Sequence, residues 1–338
     1  MRILVAGLGA IGQRHARNLR AICGPGLELL AYRRRGLTHV VTETLQRDDS
    51  RNVETEMGFR VFHDLDEALG ARPDAVFVCT PSSAHVDIAR RAAEAGCHLF
   101  IEKPVSHTLD GVDALRAAVE ARGLVAVVGC QWRFHPCVRL LQDAIETGAA
   151  GPIDAVEFEY AEYLPDWHPY EDYRTSYAAR ADLGGGVVLT QIHDYDLAWW
   201  LFGPPRTVSA TGGHLSSLEI DVEDTVDARL EGGAAPVRVR QTFAARPPRR
   251  TITVRGSRGS IVVDLLAATL TADSGVMASN SFEGYRRNEM FVDEVRHFVD
   301  CISGKATPAI PLDDGIDVLR VALAVKRSIA SGQPVELN

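Results

Sequence analysis

The stretch Val5-Ala6-Gly7-Leu8-Gly9-Ala10-Ile11-Gly12 stands between an apolar run and a helical pattern. Its spacing, Gly-x-Gly-x-x-Gly, has a physical reason at each glycine. Gly7 permits a tight strand-to-helix turn, Gly9 lets the backbone approach a pyrophosphate, and Gly12 lets the helix pack closely on a sheet. The pyrophosphate then meets free N–H groups and the positive end of the helix dipole. The predicted cofactor contacts of this turn are Gly7, Gly9, Ala10, Ile11 and Gly12.

Strand-like and helix-like segments alternate from this turn through residue 127, which is typical of a parallel sheet covered by helices. The strand-like segments are continuous runs of Val, Ile, Leu and Ala, as buried parallel strands require. One stretch, from Arg34 to Gly58, is polar and charged, and it predicts a surface helix with loops. We therefore predict a Rossmann domain, a doubly wound parallel sheet, over residues 1–127.

After residue 127 the pattern changes and predicts a second α/β domain over residues 128–338. Gly184-Gly185-Gly186 opens a predicted helix that continues to Phe202. From Thr207 to Thr271, strand-like runs are separated by turn signals, which is typical of an antiparallel or mixed sheet. Two predicted helices close the chain, and we expect the C-terminal helix to pack back on the first domain.

The composition is that of an ordinary globular protein of two domains, with 338 residues, 46% hydrophobic and 24% charged. The formal net charge of −9 argues against a nucleic-acid partner, since phosphate binding needs a basic surface. No apolar run is long enough to span a membrane and no signal peptide is present, so we expect a cytoplasmic protein without a membrane partner. The six cysteines form no Cys-x-x-Cys pair, so neither disulfides nor a bound metal are expected.

The second predicted strand ends in Ala31-Tyr32-Arg33-Arg34-Arg35. A ribose 2′-hydroxyl is usually held by an acid about 20 residues after the glycines, and no acid stands at this strand end. An arginine there can bind a 2′-phosphate through charge-assisted hydrogen bonds. Arg33 and Arg34 therefore favour NADP(H) over NAD(H) as the cofactor. A solvated basic surface is the alternative, and it stays open above all for Arg35.

Further segments carry a resemblance to a known family. Phe100-Ile101-Glu102-Lys103-Pro104 follows a predicted strand, Cys79-Thr80-Pro81 precedes a helix, and His193-Asp194-Tyr195-Asp196 follows the glycine cluster. Arg133-Phe134-His135-Pro136 lies at the predicted domain junction. Together with the glycine turn, these motifs resemble the glucose–fructose oxidoreductase/inositol dehydrogenase (Gfo/Idh/MocA) family over nearly the whole chain.

The resemblance implies an N-terminal Rossmann domain, a C-terminal α/β domain with a large open sheet, and oxidation or reduction of a sugar or cyclitol carbon. It implies catalytic roles for Lys103, near the nicotinamide and the substrate hydroxyl, and for His193 as acid or base. Many members carry an aspartate four residues before that histidine, where this chain has Leu189. The division of proton transfer therefore stays open, as does whether Asp194 or Asp196 orients the histidine. The resemblance also implies cofactor contacts at Thr80, Pro81, His85, Glu102 and Lys103.

Elementary chemistry points to the same two residues. Oxidation of a secondary alcohol needs a base for the hydroxyl proton, and the reverse reaction needs an acid. A lysine amine and a histidine imidazole both suit this task. A structural alternative stays open for each residue, namely an ion pair of Lys103 with Glu102 and a buried histidine near a helix start for His193.

The stretch from Tyr160 to Arg180 is rich in aromatic and charged residues. Aromatic rings stack on sugar faces, while Asp, His and Arg side chains bind hydroxyls or a carboxylate. A loop packed by its own rings is the alternative for each residue. The stretch resembles family members of acidic amino-sugar or lipopolysaccharide-sugar biosynthesis. The predicted substrate contacts are Arg133, Trp167, His168, Tyr170, Tyr173, Arg174 and His193.

The sequence thus predicts an NAD(P)-dependent dehydrogenase or reductase of a sugar, amino sugar, nucleotide sugar or cyclitol. Two alternatives stay open, a redox-neutral enzyme that cleaves glycosides with bound NAD and a non-catalytic dinucleotide-sensing regulator. The presence of Lys103 and His193 argues against the regulator, whereas Leu189 argues for it. Because a large open sheet has a face that needs cover, we expect a homodimer or homotetramer.

Overall fold

The structure is a computed structural model that describes residues 1–36 and 38–337. The chain is divided into two compact units. The N-terminal unit consists of Met1–Cys130, His168–Asp172 and Asn288–Ile316, and the second unit of Gln131–Trp167, Tyr173–Arg287 and the residues from Asp317 onward. Across the described residues, no helix combines the length and the apolar composition that crossing a membrane requires.

The N-terminal unit is built on a parallel sheet with helices between its strands. Its strands are β1 (Arg2–Ala6), β2 (Glu28–Tyr32), β3 (Val40–Val41), β4 (Arg47–Asp48), β5 (Arg60–Phe62), β6 (Ala75–Val78), β7 (His98–Glu102) and β8 (Ala126–Gly129). Its first helices are α1 (Ala10–Cys23), α2 (Val53–Met57), α3 (Leu65–Gly70), α4 (His85–Glu94) and α5 (Val112–Ala121). Six strands form the parallel sheet, in the order β5-β2-β1-β6-β7-β8. This order confirms the predicted Rossmann fold.

The second unit contains a nine-stranded sheet. Its strands are β9 (Ile153–Tyr163), β10 (Thr207–Gly213), β11 (Thr225–Glu231), β12 (Val237–Thr242), β13 (Ala244–Gly256), β14 (Gly259–Asp264), β15 (Thr269–Ala272), β16 (Asn280–Ser281) and β17 (Val335–Glu336). The remaining helices are α6 (Pro136–Glu146), α7 (Val187–Thr190), α8 (His193–Phe202), α9 (Asn288–Ile302) and α10 (Leu312–Ser331). The strand order is β16-β15-β14-β13-β9-β12-β11-β10-β17. Since β9 is parallel to β12 and antiparallel to β13, the predicted mixed sheet is confirmed.

Helix α9 completes the core of the N-terminal unit, although it lies far along the chain. It packs against α1 and brings Phe298 onto the aromatic residues of β6 and β7. The rings of Phe77 and Phe100 stack with centroids 4.5 Å apart, and Phe298 meets them edge-on at 5.3 and 5.7 Å. All three side chains are fully buried, and burying one such ring stabilises the fold by about 1.5–3 kcal/mol.

The two faces of the nine-stranded sheet differ in polarity. On β9, Val156 and Phe158 are buried, and the helices α7 and α8 contact the sheet through β12. The alternate residues Glu157 and Glu159 are half-buried and pair with Arg240 at 2.8 and 3.8 Å. We expected one face of this sheet to be covered in an oligomer. The centre of that face carries ion pairs.

The stretch from Arg34 to Gly58 differs from its prediction. Strands β3 and β4 form an antiparallel hairpin, and α2 is a short helix. Val40 and Val41 are buried because the Gln13 side chain binds this stretch. Its amide accepts a hydrogen bond from the Val41 N–H at 2.8 Å and donates one to the His39 carbonyl at 3.0 Å. The predicted surface helix is present as the short α2, whereas the hairpin was not predicted, since isolated valines among polar residues give no periodic signal.

Candidate active site

The glycine turn connects β1 to α1, and its three glycines have different surroundings. Gly7 has a φ of +99°, and a Cβ there would lie 2.6 Å from the Cys79 carbonyl oxygen. A Cβ on Gly12 would lie 2.0 Å from the Gly7 carbonyl oxygen. By contrast, no atom lies within 4 Å of a Cβ built on Gly9. The fold itself therefore requires Gly7 and Gly12, whereas Gly9 leaves open space in front of the helix.

This open space fits the pyrophosphate of a dinucleotide. Gly9 is the N-cap of α1 and has no side chain to cap it, and the first-turn N–H groups have no partner within the helix. The turn lies at the carboxyl ends of β1 and β6, where the strand order reverses and open α/β sheets bind ligands. Beside it, the buried Oγ1 of Thr80 has no hydrogen-bond partner among the described residues. Hydrogen-bond donors without partners at a helix N-terminus are what an anionic ligand needs.

The arginines after β2 have different roles in the structure. Arg33 is 5% exposed, and its guanidinium binds Glu54 at 2.6 Å and the Arg35 carbonyl at 2.8 Å. Arg34 is exposed. Of the two predicted cofactor contacts, Arg34 is thus the one that extends into solvent at this strand end.

Lys103 follows the last residue of β7 and is half-buried. The preceding Glu102 is buried, and its Oε1 lies 2.6 Å from Nε2 of His15 in α1. The carbonyl of the following Pro104 lies 2.8 Å from Nδ1 of His85. Glu102 therefore faces His15.

His85 is the first residue of α4 and is buried, with 1% exposure. Its Nε2 lies 2.7 Å from the Thr80 carbonyl, and its other ring nitrogen lies near Pro104. Burial lowers the pKa of His85, so the neutral ring is favoured. His85 was predicted as a cofactor contact, and in this unit it holds the backbone beside the predicted contacts Thr80 and Pro81.

In the second unit, the glycine cluster has a steric cause. A Cβ on Gly185 would lie 2.5 Å from the Tyr177 carbonyl oxygen. A Cβ on Gly186, which has a φ of +96°, would lie 2.2 Å from the Glu223 carboxylate. That carboxylate also accepts a hydrogen bond from Lys326 at 2.9 Å. Gly186 thus lets the chain pass the half-buried Glu223 carboxylate just before α7, and Gly185 lets it pass the Tyr177 carbonyl.

The predicted helix from the glycine cluster to Phe202 is in fact two helices, α7 and α8. The backbone leaves helical geometry at Gln191, with a φ of −108° and a ψ of 34°. As a result, His193 is the first residue of α8, and it is 3% exposed. Leu189, which stands where relatives have an aspartate, is buried in α7.

The acids on either side of Tyr195 bind buried arginines. Asp194 accepts hydrogen bonds from Arg250 at 2.9 Å and from Gln241 at 2.8 Å. Asp196 is bound by Nη2 and Nε of Arg133 at 2.6 and 3.0 Å. Both acids therefore serve as counter-ions of these buried arginines. Arg133, a predicted substrate contact, is itself only 3% exposed and lies over the Trp200 ring.

The predicted substrate contacts on the Tyr160–Arg180 stretch fall into separate groups. In the second unit, the Trp167 ring packs edge-on against Phe243, with centroids 5.1 Å apart. The exposed Arg174 pairs with Glu219 at 2.8 Å, and the Tyr173 hydroxyl accepts a hydrogen bond from the backbone N–H of Glu219 at 3.2 Å. Tyr173 and Arg174 thus contact a loop residue, whereas Trp167 contacts Phe243 between β12 and β13, and the roles toward a substrate stay predictions.

Two residues of the same stretch belong to the N-terminal unit. Nδ1 of His168 lies 2.8 Å from Glu171, and the Tyr170 ring lies 6.5 Å from the His39 ring. Burial raises the pKa of Tyr170 to about 12, so its hydroxyl stays protonated at neutral pH. His168 and Tyr170 therefore lie with the stretch around His39, which the Gln13 side chain binds to α1.

Two buried polar residues of these units, Arg250 and His15, were not predicted from the sequence. Arg250 of β13 is 4% exposed and lies over the rings of Trp132 and Tyr160 at 4.7 and 5.0 Å. No local pattern singles it out from the other arginines of that strand. His15 did have a signal, because it lies three residues after Gly12 on the buried face of α1, where a polar side chain needs a partner.

The chain matches family models along most of its length. Residues 1–130 match the model of the Gfo/Idh/MocA oxidoreductase family, described as an NAD-binding Rossmann fold. Residues 138–262 match the model of the Gfo/Idh/MocA C-terminal domain.

Named relatives agree with these matches. The chain is 28% identical to a myo-inositol 2-dehydrogenase of Thermotoga maritima over 100% of this chain and 99% of that protein. It is 28% identical to a D-xylose 1-dehydrogenase (NADP(+)) of Haloferax volcanii, over 89% and 93% of the two chains. The crystal structure of the WlbA dehydrogenase from Bordetella pertussis with NADH and UDP-GlcNAcA is similar, with a TM-score of 0.82, 25% identity, and coverage of 100% and 98%. The chain belongs to the Gfo/Idh/MocA family of oxidoreductases, with an NAD-binding Rossmann fold.

Proposed function

We propose that this chain is a dehydrogenase or reductase that uses a nicotinamide dinucleotide to interconvert a secondary alcohol and a ketone of a sugar, amino sugar, nucleotide sugar or cyclitol. The observation that carries the proposal is the position of Lys103. It follows β7, next to β6 and its Thr80, in the sheet whose β1 ends at the open glycine turn. An amine at the strand ends beside a dinucleotide site is placed for proton transfer to and from a substrate hydroxyl.

The chain supplies binding and proton transfer. The first turn of α1 and Gly9 bind the pyrophosphate, and the Thr80 hydroxyl offers a polar contact at the end of β6. When bound, the dinucleotide supplies the hydride acceptor or donor. In the oxidation direction, Lys103 or His193 accepts the hydroxyl proton, and in the reduction direction it returns the proton to the forming alkoxide.

We favour NADP(H) as the cofactor. No carboxylate follows β2, and the exposed Arg34 supports a contact with a 2′-phosphate. We expect the ratio of kcat/KM for NADP over NAD to fall about tenfold in Arg34→Ala, the loss of one charge-assisted hydrogen bond at an exposed site. Equal ratios in the variant and the wild type would favour NAD(H).

The substrate class is supported by the names of the relatives, which act on inositol and xylose, and by the UDP-GlcNAcA bound to the WlbA dehydrogenase. The test is a screen of free sugars, cyclitols, nucleotide sugars and sugar acids against NAD and NADP, with the absorbance of the reduced cofactor as the readout. We expect one substrate class to reduce one cofactor. Cleavage of glycosides without net absorbance change would indicate the redox-neutral alternative, and dinucleotide binding without any turnover would indicate the regulator.

The assembly and the domain boundary are proposals as well. We propose a homodimer or homotetramer that covers the outer face of the nine-stranded sheet, whose central ion pairs give a polar contact surface. Light scattering at high and low salt tests it, because screening weakens such a contact. The boundary between residues 127 and 128 is tested by limited proteolysis.

A further inference from the structure

Lys103 lies between two residues that are each held by a buried histidine. On one side, the carboxylate of Glu102 contacts His15, and on the other side the carbonyl of Pro104 contacts His85. The two histidines belong to α1 and α4, which are separate elements of the N-terminal unit. The backbone that carries the Lys103 side chain is thus fixed on both sides from two directions.

His15 is fully buried among aromatic rings. The ring centroids of Phe77, Phe100 and Phe291 lie 5.5, 4.9 and 6.2 Å from its own. Its Nδ1 has no hydrogen-bond partner among the described residues, so the ring proton belongs on Nε2, where it donates to Glu102 at 2.6 Å. Because the rings leave the imidazole no room to turn, the Glu102 carboxylate has a fixed position relative to α1.

His85 connects the ends of two neighbouring strands. Its ring nitrogens lie 2.7 Å from the carbonyl of Thr80, which follows β6, and 2.8 Å from the carbonyl of Pro104, which follows β7. Both partners are acceptors and a neutral imidazole has one N–H, so the ring donates to one of the two carbonyls at a time. With 1% exposure, the ring has no room for a solvent molecule to replace either contact.

We infer that His15 and His85 are positioning residues for Lys103, which fix its amine relative to the glycine turn and the end of β6. The inference rests on the proposed function, because it assigns a task to Lys103. His15 lies on the helix that begins at the glycine turn, and Thr80 is a predicted cofactor contact. The two histidines therefore connect the cofactor-binding backbone to the residue that transfers the proton. Neither histidine contacts substrate in this account.

The geometry of His85 allows the two contacts to be separated. In His85→Asn, the amide nitrogen takes the place of Nδ1 and donates to Pro104, whereas in His85→Gln it takes the place of Nε2 and donates to Thr80. We expect His85→Gln to lower kcat about 100-fold, the cost of a misplacement of about 1 Å. His85→Asn keeps the contact beside Lys103 and loses the one to Thr80, so it should lower kcat less, by about tenfold. Because Lys103 acts in proton transfer, His85→Gln should lower kcat by a larger factor than it raises the KM for the dinucleotide.

His15 offers a second matched pair. His15→Gln keeps an amide donor at the place of Nε2, and His15→Leu keeps the volume but removes the donor. We expect a loss in kcat of about 100-fold for His15→Leu and rescue by His15→Gln. Thermal unfolding shows whether each variant is folded, and if His15→Leu does not fold, the His85 pair alone decides the inference.

A readout without turnover separates this inference from the proposed function. The rate at which acetic anhydride labels the Lys103 amine is measured by mass spectrometry in the cofactor-free protein, with the exposed Lys305 as the internal reference. We expect a changed labelling rate in His15→Leu and His85→Gln and near wild-type rates in the two conservative variants. Folded variants with unchanged labelling and unchanged kcat would overturn the positioning role. A wild-type protein inactive with every substrate would instead overturn the proposed function, while the labelling comparison still stands.

Discussion

Lys103 and His193 are held in place by opposite means. Around Lys103 the contacts are made by buried histidines, a carboxylate and backbone carbonyls at the end of a parallel strand. Around His193, the neighbouring residues Asp194 and Asp196 form buried ion pairs with arginines. The first arrangement follows from strand order, which brings the ends of consecutive strands together. The second depends on charges that must be paired once they are buried, so it fails when one partner is removed.

The largest expected effect concerns Lys103 itself. We expect Lys103→Met to lower kcat about 1,000-fold, within the range that a proton-transfer group contributes, and to change the Kd for the dinucleotide by a much smaller factor. Steady-state kinetics and calorimetry measure the two quantities. Lys305→Met removes an exposed lysine and serves as the control. Equal loss of activity in both variants would remove Lys103 from the mechanism.

The next prediction concerns the buried ion pair of Arg250 with Asp194, the residue that follows His193. Arg250→Met leaves Asp194 buried without its counter-ion, which should lower the free energy of unfolding by about 3–5 kcal/mol. The control is Arg174→Met, which breaks an exposed pair with Glu219 and should cost at most about 1 kcal/mol. Urea denaturation measures both. A cost for Arg250→Met as small as that of the control would show that the buried pair does not stabilise the start of α8.

The third prediction concerns His135 and the dependence of the free energy of unfolding on pH. Burial, together with Arg250, lowers the pKa of His135 to about 4, and its Nδ1 accepts a hydrogen bond from the Cys137 N–H at the start of α6. The folded-state pKa lies below the ordinary value of 6.5, so the unfolded chain binds the proton first and stability is lost as the pH falls from 6.5 towards 4. The full loss is about 3 kcal/mol.

The matched variant for this prediction is His135→Asn, since asparagine caps a helix as well and does not titrate. The free energy of unfolding, measured by urea between pH 7 and pH 4, should fall less steeply in the variant than in the wild type. Parallel slopes would mean that the folded and unfolded states bind this proton equally, so that the fold does not lower the pKa of His135.

The sequence was sufficient for the parallel sheet of the N-terminal unit, because Gly7 and Gly12 are required by close backbone contacts and apolar runs mark buried strands. It was also sufficient for the end of β7, where Lys103 and Pro104 follow Glu102 directly. The hairpin around Val40 was not predictable, since its burial depends on the side chain of Gln13, a contact distant in sequence.

Partners of the buried polar residues were even less predictable. Asp194 and Asp196 were candidates to orient His193, yet the arginines that bind them come from β13 and from the segment after β8. Helical periodicity predicts the face of a helix on which a residue lies, but it does not predict which distant residue of the unit contacts it. Only the fold brings Arg250 and Arg133 to these acids.

The substitution Gly9→Ala, which adds one methyl group, tests the central claim. That claim is that a dinucleotide pyrophosphate binds in the open space before α1. Since a Cβ on Gly9 meets no atom of the protein, Gly9→Ala should unfold like the wild type. Calorimetric titration with NADP and NAD should show binding to the wild type and about tenfold weaker binding to the variant, about 1.4 kcal/mol. Absence of binding heat for both dinucleotides in the wild type, or equal affinity in Gly9→Ala, would contradict the account.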